Sequence, residues 1–261
     1  MKKIKIDALS ENISDRMESD IKNNNISGAS VSVISPDDTL FKAHFGTLSA
    51  EDKTPPNDST LFRMASMTKP VTAVAVMTLY DKGLLEIDDP VEKYLPQFKN
   101  MYTAEMIDGR AEKVRKAQTT LTIKHLLTHT SGLVSGSSGE FYANELSDEA
   151  NKTLKDTVDY YSGTGLGFEP YTKNQYNATA AFDVLARIAE VISGMNYADF
   201  LKKYVTDPCE MYDTVFAPDN GQWERIIPMH KKENGKSGVA EMKKGCVFGN
   251  VPVTHYLGGA G

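Results

Sequence analysis

The segment from Ala65 to Gly83, ASMTKPVTAVAVMTLYDKG, is the strongest constraint on how this chain can fold. Its periodicity is helical, and its apolar residues are too many for one stripe. A helix of that kind has to be buried, so other layers of structure must surround it. The polar stretch at 57–59 leads into it and Gly83 is its natural stop. A chain of 261 residues with 40% hydrophobic and 25% charged content can supply those layers, as one large domain or two intimately packed ones. No run of about 18 apolar residues occurs, so the buried helix is not read as a membrane span.

Around this helix the pattern changes twice. Ile6, Leu9, Ile13, Met17 and Ile21 fall three or four apart, which predicts one amphipathic helix that packs on a sheet. The asparagines at 23–25 and Gly28 end it. ASVSVIS and LFKAHFG then alternate on either side of Pro36, Asp37 and Asp38, which predicts two strands joined by a tight hairpin. IDDPVEKYLPQF, with two prolines, is a turn-rich connection, and TIKHLLTHTSGL predicts a helix ending near Gly132. VSGSSGE at 134–140 reads as a polar loop. Helices are predicted over 151–162, 180–193 (stopped by Gly194) and 197–204. Beyond Pro218, GVAEM and CVFG are strand-like.

Strands first, a helical middle and a return to extended structure predict an α+β fold: an antiparallel sheet flanked by helices, interrupted by an all-helical subdomain, with a cleft where they meet. The expected divisions are 1–60 (first helix and strands), 61–215 (the mainly helical part, built on the buried helix) and 216–261 (the return to the sheet).

Charge and cysteine content narrow the function. The formal charge is -6, from 35 acidic and 29 basic residues mixed along the chain, and nothing concentrates positive charge for a phosphate backbone. Nucleic acid is therefore not expected as a partner. Asp7, Glu11, Asp15 and Glu18 interrupt any apolar signal core after the early lysines. The chain is accordingly expected in the cytoplasm, with a periplasmic or extracellular place following only if a leader has been removed. Cys209 and Cys246, far apart and without a ligand pattern, fit reduced structural thiols.

The chemistry concentrates at the start of the buried helix, in Ser66-Met67-Thr68-Lys69. A serine and a lysine three apart share a helix face, so the amine can reach the hydroxyl. A serine hydroxyl is a poor nucleophile until a base takes its proton, and a lysine can act so only when desolvation or nearby positive charge lowers its pKa. The start of a buried helix provides desolvation, and its dipole favours the negative charge that develops.

LFRMASMTKPVTAVAVMTLYDKGLLEIDDPVEKYLP closely resembles the nucleophile helix of class C β-lactamases and of the related esterases and D-alanyl-D-alanine carboxypeptidases of the penicillin-binding-protein superfamily. HLLTHTSGL at 125–133 is similar to a second segment of that family. YNATAAFDVLARIAEVISGMNYADF, from Tyr176 to Phe200, resembles the segment carrying its Tyr-x-Asn motif. The resemblance implies a β-lactamase/transpeptidase-like fold and a serine hydrolase that forms an acyl-enzyme on a β-lactam, a D-Ala-D-Ala-type amide or an ester. It makes Ser66 the nucleophile, with Lys69 and Tyr176 as general bases or acids and no metal or organic cofactor. A phenol titrating near 10 needs cationic neighbours to serve so at neutral pH. The implied partner is a small-molecule or peptide substrate.

Two departures from the family pattern matter. Ala178 occupies the substrate-binding position where penicillin-recognising members carry an asparagine, which favours an esterase or peptidase-like relative. The family's third element, a Lys-Thr-Gly or His-x-Gly strand, follows well after a glycine-rich segment, whereas here Gly258-Gly259-Ala260-Gly261 is the end. That strand supplies one N–H of the oxyanion hole, a donor whose loss costs about 10²- to 10³-fold. The expectation is therefore a truncated chain lacking the last strands and helix, impaired by itself, with a sheet edge that a second chain or a carboxy-terminal fragment could complete.

Rival readings are weaker. No G-x-S-x-G elbow occurs for a Ser-His-Asp hydrolase. His125 and His129 are four apart but lack the glutamate of H-E-x-x-H, so a hydrogen-bonded structural role is expected. His44, His230 and His255 have no cluster to join. Gly163, Gly165 and Gly167 have no strand before them as a nucleotide loop would require, and are read as a lip of the cleft. Trp223 either lines a substrate rim or packs. A catalytically inactive binding or scaffold protein that kept the fold is the alternative from a different class of function. The presence of Ser66, Lys69 and Tyr176 together argues against it.

Overall fold

The computed structural model describes residues 6–107, 110–133, 153–233, 235–240 and 258–259. The predicted loop at 134–140, the first residues of the helix predicted over 151–162, the CVFG strand, Cys246 and His255 lie outside them, as do the last two residues. The chain divides into two compact units: Met1–Arg63 with Pro218–Val251, and Met64–Ala217 with Pro252–Gly261.

In the first unit, α1 (Ile6–Lys22) lies against a hairpin of β1 (Gly28–Ile34) and β2 (Thr39–Gly46). The strands run antiparallel from Gly28 opposite Gly46 to Ile34 opposite Thr39, with one irregularity at Val33/Ile34. Ser35 closes the turn: its amide donates to Asp38 O at 2.7 Å and its hydroxyl accepts the Asp38 N–H at 2.9 Å. Leu61 forms a parallel bridge with Ile226, and the Arg63 guanidinium donates to Ile227 O at 2.9 Å. Arg225 donates to Ser59 O at 3.1 Å, so the neighbourhood of Trp223 stitches this unit together.

The second unit is built on α2 (Thr68–Asp81), which is buried along one face only: Val74 and Tyr80 on the other are exposed, so it is not surrounded as the sequence predicts. Thr72, Ala75, Val76 and Leu79 are enclosed, and the helix packs on α5 (Ala180–Ser193), of which Ala180–Ala186, Ile188 and Ala189 are buried. Each fully buried Leu, Ile or Val contributes about 1.5–3 kcal/mol relative to exposure, so this contact anchors the unit. Gly83 and Gly194 end the two helices in the left-handed region, φ +67° and +69°. Two 3₁₀ turns, Val91–Lys93 and Pro96–Phe98, occupy the proline-rich connection. The helix of the TIKHLL segment is short: α3 (Ile123–Leu127) gives way at Thr128 to His129 with φ +56°. Further along come α4 (Leu154–Thr164) and α6 (Tyr197–Leu201), the latter continued by a π-helical turn at Lys202–Thr206.

The helical part also holds a β-hairpin, β3 (Tyr102–Ile107) and β4 (Arg110–Lys116), so it is not all-helical as predicted. Gly165 ends α4 with φ +84°, and Leu166, fully buried, bridges to both Thr103 and Leu133. In the first unit the chain ends its described course with α7 (Asn220–Trp223), β5 (His230–Glu233) and β6 (Lys236–Val239), the last two an antiparallel pair. No described helix is long and apolar enough to cross a membrane.

Candidate active site

Ser66 stands in a 3₁₀ turn, Ala65–Met67, that runs directly into α2. Ala65 holds φ at +46°, a region that costs a residue with a side chain about 1–2 kcal/mol. The strained bend sits immediately before the serine, whose side chain is left exposed. Lys69, one turn on, is only 4% exposed. Its Nζ donates to Ser66 Oγ at 3.1 Å, to Ala178 O at 2.6 Å and to Gly259 O at 2.7 Å. The two carbonyls can only accept, so two of the three positions on the nitrogen are committed to hydrogens. The third faces Ser66: it carries a proton in the ammonium form and a lone pair in the amine form.

Tyr176 completes the trio. Its hydroxyl donates to Ser66 Oγ at 2.7 Å, and Lys69 Nζ lies 5.0 Å from the centre of its ring. Burial pushes the phenol's pKa up, but the bond to Ser66 and the adjoining Lys69 nitrogen outweigh it, and the net shift is below the usual 10.

Local structure explains where Tyr176 sits. Asn177, fully buried, accepts the Thr179 and Ala181 amides on Oδ1 at 3.2 and 3.1 Å and donates to Leu133 O at 2.9 Å. It thereby caps α5, whose N-cap Thr179 makes no side-chain cap bond. His129 accepts the Asn177 N–H on Nδ1 at 3.1 Å and packs its ring 4.8 Å from that of Tyr176. Burial, and then the charge of Lys69, lower the His129 pKa, which keeps the imidazole neutral and its Nδ1 free to accept. His125 forms a capping box with Thr122.

Of the residues singled out by sequence, the structure thus brings Ser66, Lys69 and Tyr176 into mutual contact. Ala178 joins them through its backbone carbonyl rather than its side chain. Asn177 and His129 carry the support, and their sequence signal was adjacency to the motifs. A further buried group, Asp183, has no signal in the sequence, where it reads as one polar position in an amphipathic helix. It accepts the Gly259 N–H at 2.9 Å and the Tyr161 hydroxyl at 3.2 Å. Burial lifts its pKa to about 7, although the Gly259 amide, the Tyr161 hydroxyl and the charge of Lys69 all pull it down.

A pH signature follows from that carboxyl. Unfolded, it ionises near pH 4, whereas folded, it keeps its proton to about 7. Between those values the folded state binds more protons, so stability falls as pH rises and levels off above 7. Asp183→Asn cannot ionise and lacks this loss. Its melting temperature relative to the parent is expected to rise between pH 5 and pH 8, by an amount equivalent to on the order of 2–3 kcal/mol. A difference that stays constant with pH would contradict the assignment.

A serine, a histidine and an aspartate also meet in the first unit. His44 contacts Ser30 Oγ through Nδ1 and Asp58 Oδ1 through Nε2, both at 2.8 Å, so it is not without partners as the sequence suggested. Ser30 and His44 are cross-strand partners in the β1–β2 register, which accounts for their contact, and Asp58 is also paired with Lys42 at 2.7 Å. Among the described residues, no group of three or more His, Cys, Asp or Glu side chains could hold a metal ion.

The family model described as Beta-lactamase matches residues 9–260. Penicillin-binding protein 4* of Bacillus subtilis is 36% identical over 179 residues, 68% of this chain and 35% of that protein. Esterase EstB of Burkholderia gladioli is 30% identical over 226 residues, 84% of this chain and 53% of that protein. The chain therefore spans from about a third to about half the length of these relatives. Among solved structures, EstCE1, a hydrolase with promiscuous acyltransferase activity, superposes with a TM-score of 0.77 at 22% identity. That match covers 99% of this chain and 70% of that one, a likeness of fold.

Proposed function

This chain belongs to the β-lactamase family, and from that premise we propose that it is a serine hydrolase working through an acyl-enzyme, with Ser66 as nucleophile and Lys69 and Tyr176 as its proton-transfer groups. One observation carries the reading: Ser66 Oγ is within hydrogen-bonding distance of both Lys69 Nζ and Tyr176 OH, at 3.1 and 2.7 Å.

The steps follow from the geometry. With Ala178 O and Gly259 O each taking an N–H, the amine form of Lys69 turns its lone pair on Ser66 and accepts the hydroxyl proton as Oγ attacks a carbonyl carbon. Negative charge builds on the carbonyl oxygen beside the start of α2, where the Ser66 N–H and the helix dipole favour it. Tyr176 hands its proton to the departing group and takes back, directly from the Lys69 ammonium, the proton that Ser66 gave up. Water then attacks the acyl-enzyme by the same route in reverse and frees the acid.

For the substrate, we propose a small ester in preference to a β-lactam. By the family resemblance, Ala178 stands at the position whose asparagine binds the side chain of a penicillin, and one relative, EstB, is named an esterase. The inactive-scaffold reading has no support in a site whose three groups are in contact. The test compares hydrolysis of p-nitrophenyl acetate with acylation by a fluorescent penicillin. Saturable ester hydrolysis with slow or no penicillin labelling is expected. Penicillin labelling faster than ester turnover would overturn the preference, and no ester hydrolysis at all would overturn the hydrolase.

A further inference from the structure

We propose that the turn at Gly258 and Gly259 is a clamp on Lys69, and that Asp183 and Thr72 are positioning residues that act on acyl transfer by tethering it. The inference rests on the catalytic reading of Ser66 and Lys69 given above.

The turn touches Lys69 through the Gly259 carbonyl, 2.7 Å from Nζ. It is held from two sides. The Gly259 N–H donates to Asp183 Oδ1 at 2.9 Å, and Asp183 Oδ2 in turn accepts the Tyr161 hydroxyl at 3.2 Å. Thr72 Oγ1, completely enclosed, donates to Gly258 O at 2.7 Å. Having given its one proton, Thr72 accepts from the Tyr197 hydroxyl at 2.6 Å, and burial raises the pKa of that phenol and keeps it a donor. Two buried threads therefore converge on a single peptide group, the Gly258–Gly259 amide, one holding its C=O and the other its N–H.

The glycines allow the turn to lie directly on α5. A Cβ on Gly258 would fall 2.3 Å from Phe182 O and 2.8 Å from Ala186 Cβ, and one on Gly259 would fall 2.7 Å from both the Cα and the carbonyl oxygen of Thr179. No side chain fits without moving the turn away. The clamp matters because a lysine stem is long and carries about 2 kcal/mol of rotamer entropy. Ala178 O fixes one direction of the amine. Gly259 O fixes the second, and only then does the third point steadily at Ser66.

Neither Asp183 nor Thr72 contacts Ser66, so substitutions should change kcat and leave KM within about twofold. Thr72→Val, which keeps shape and burial, and Asp183→Ala are each expected to lower kcat for p-nitrophenyl acetate about 10- to 100-fold, the scale for a displaced catalytic group. Asp183→Asn keeps an acceptor for the Gly259 amide and is expected to recover most of the loss seen with alanine. A folded Thr72→Val protein with parental kcat would overturn the clamp, and this variant decides the matter if Asp183→Ala does not fold. Asp183→Asn as slow as Asp183→Ala would also overturn it. Hydrogen exchange at the Gly259 amide reads the tether without any activity: protection in the parent and loss of protection in Asp183→Ala are expected. Equal exchange in the two refutes the tether, whereas missing ester hydrolysis in the parent refutes the catalytic reading instead.

Discussion

Ser66→Ala is expected to reduce ester hydrolysis to the level of the uncatalysed reaction while leaving the melting temperature within a degree or two of the parent. The hydroxyl is exposed and makes its bonds with Lys69 and Tyr176, both of which keep other contacts in its absence. Exposed substitutions of this kind usually change stability by less than about 0.5 kcal/mol. The chemical loss is of another order. Where a serine nucleophile acts with its base as a unit, its removal costs about 10⁶-fold in kcat. Steady-state hydrolysis beside a thermal melt separates the two effects. Residual turnover above about 1% of the parent would mean that the reaction runs elsewhere in the molecule.

The second large effect belongs to Lys69. Lys69→Met retains most of the stem's volume and removes the nitrogen, and is expected to slow acylation about 10²- to 10⁴-fold, the usual worth of a positioned general base. The substitution also strips a donor from Ala178 O and Gly259 O. An orphaned buried acceptor costs about 1–3 kcal/mol, but the variant no longer has to bury a charge. The two terms oppose each other, so the fold should survive. Rapid-mixing measurement of the acylation burst, with circular dichroism to confirm folding, tests this. A burst within tenfold of the parent would assign the base to another group.

Much of this arrangement is legible from residue patterns, and the exceptions have physical causes. The helices at 6–22, 68–81 and 180–193 announce themselves by period, and the first hairpin by alternation. The hairpin at 102–116 does not, because YTAEMI and RAEKVRK intersperse charged residues with few β-branched ones and derive their pairing from the surrounding structure. Ser66 and Lys69 are readable because their contact is local, three residues apart. Tyr176 needed the family resemblance, since 110 positions separate it from Ser66. The contribution of Ala178 could not be read at all, since a backbone carbonyl has no sequence signature. The same holds for the strain at Ala65, where a glycine would have marked the bend. Asp183 shows the opposite problem: a carboxyl on a helix is usually solvated, and the Gly259 amide that it holds lies 76 residues away. His44 gained its partners from strand register, which a list of isolated histidines does not contain.

The central claim, that Ser66 is the nucleophile, is tested most directly by labelling with a fluorophosphonate followed by intact-mass measurement and peptide mapping. One equivalent of adduct is predicted on the peptide containing Ser66, absent from Ser66→Ala. An adduct on Ser30, the serine beside His44, or a label that persists in Ser66→Ala, would contradict it.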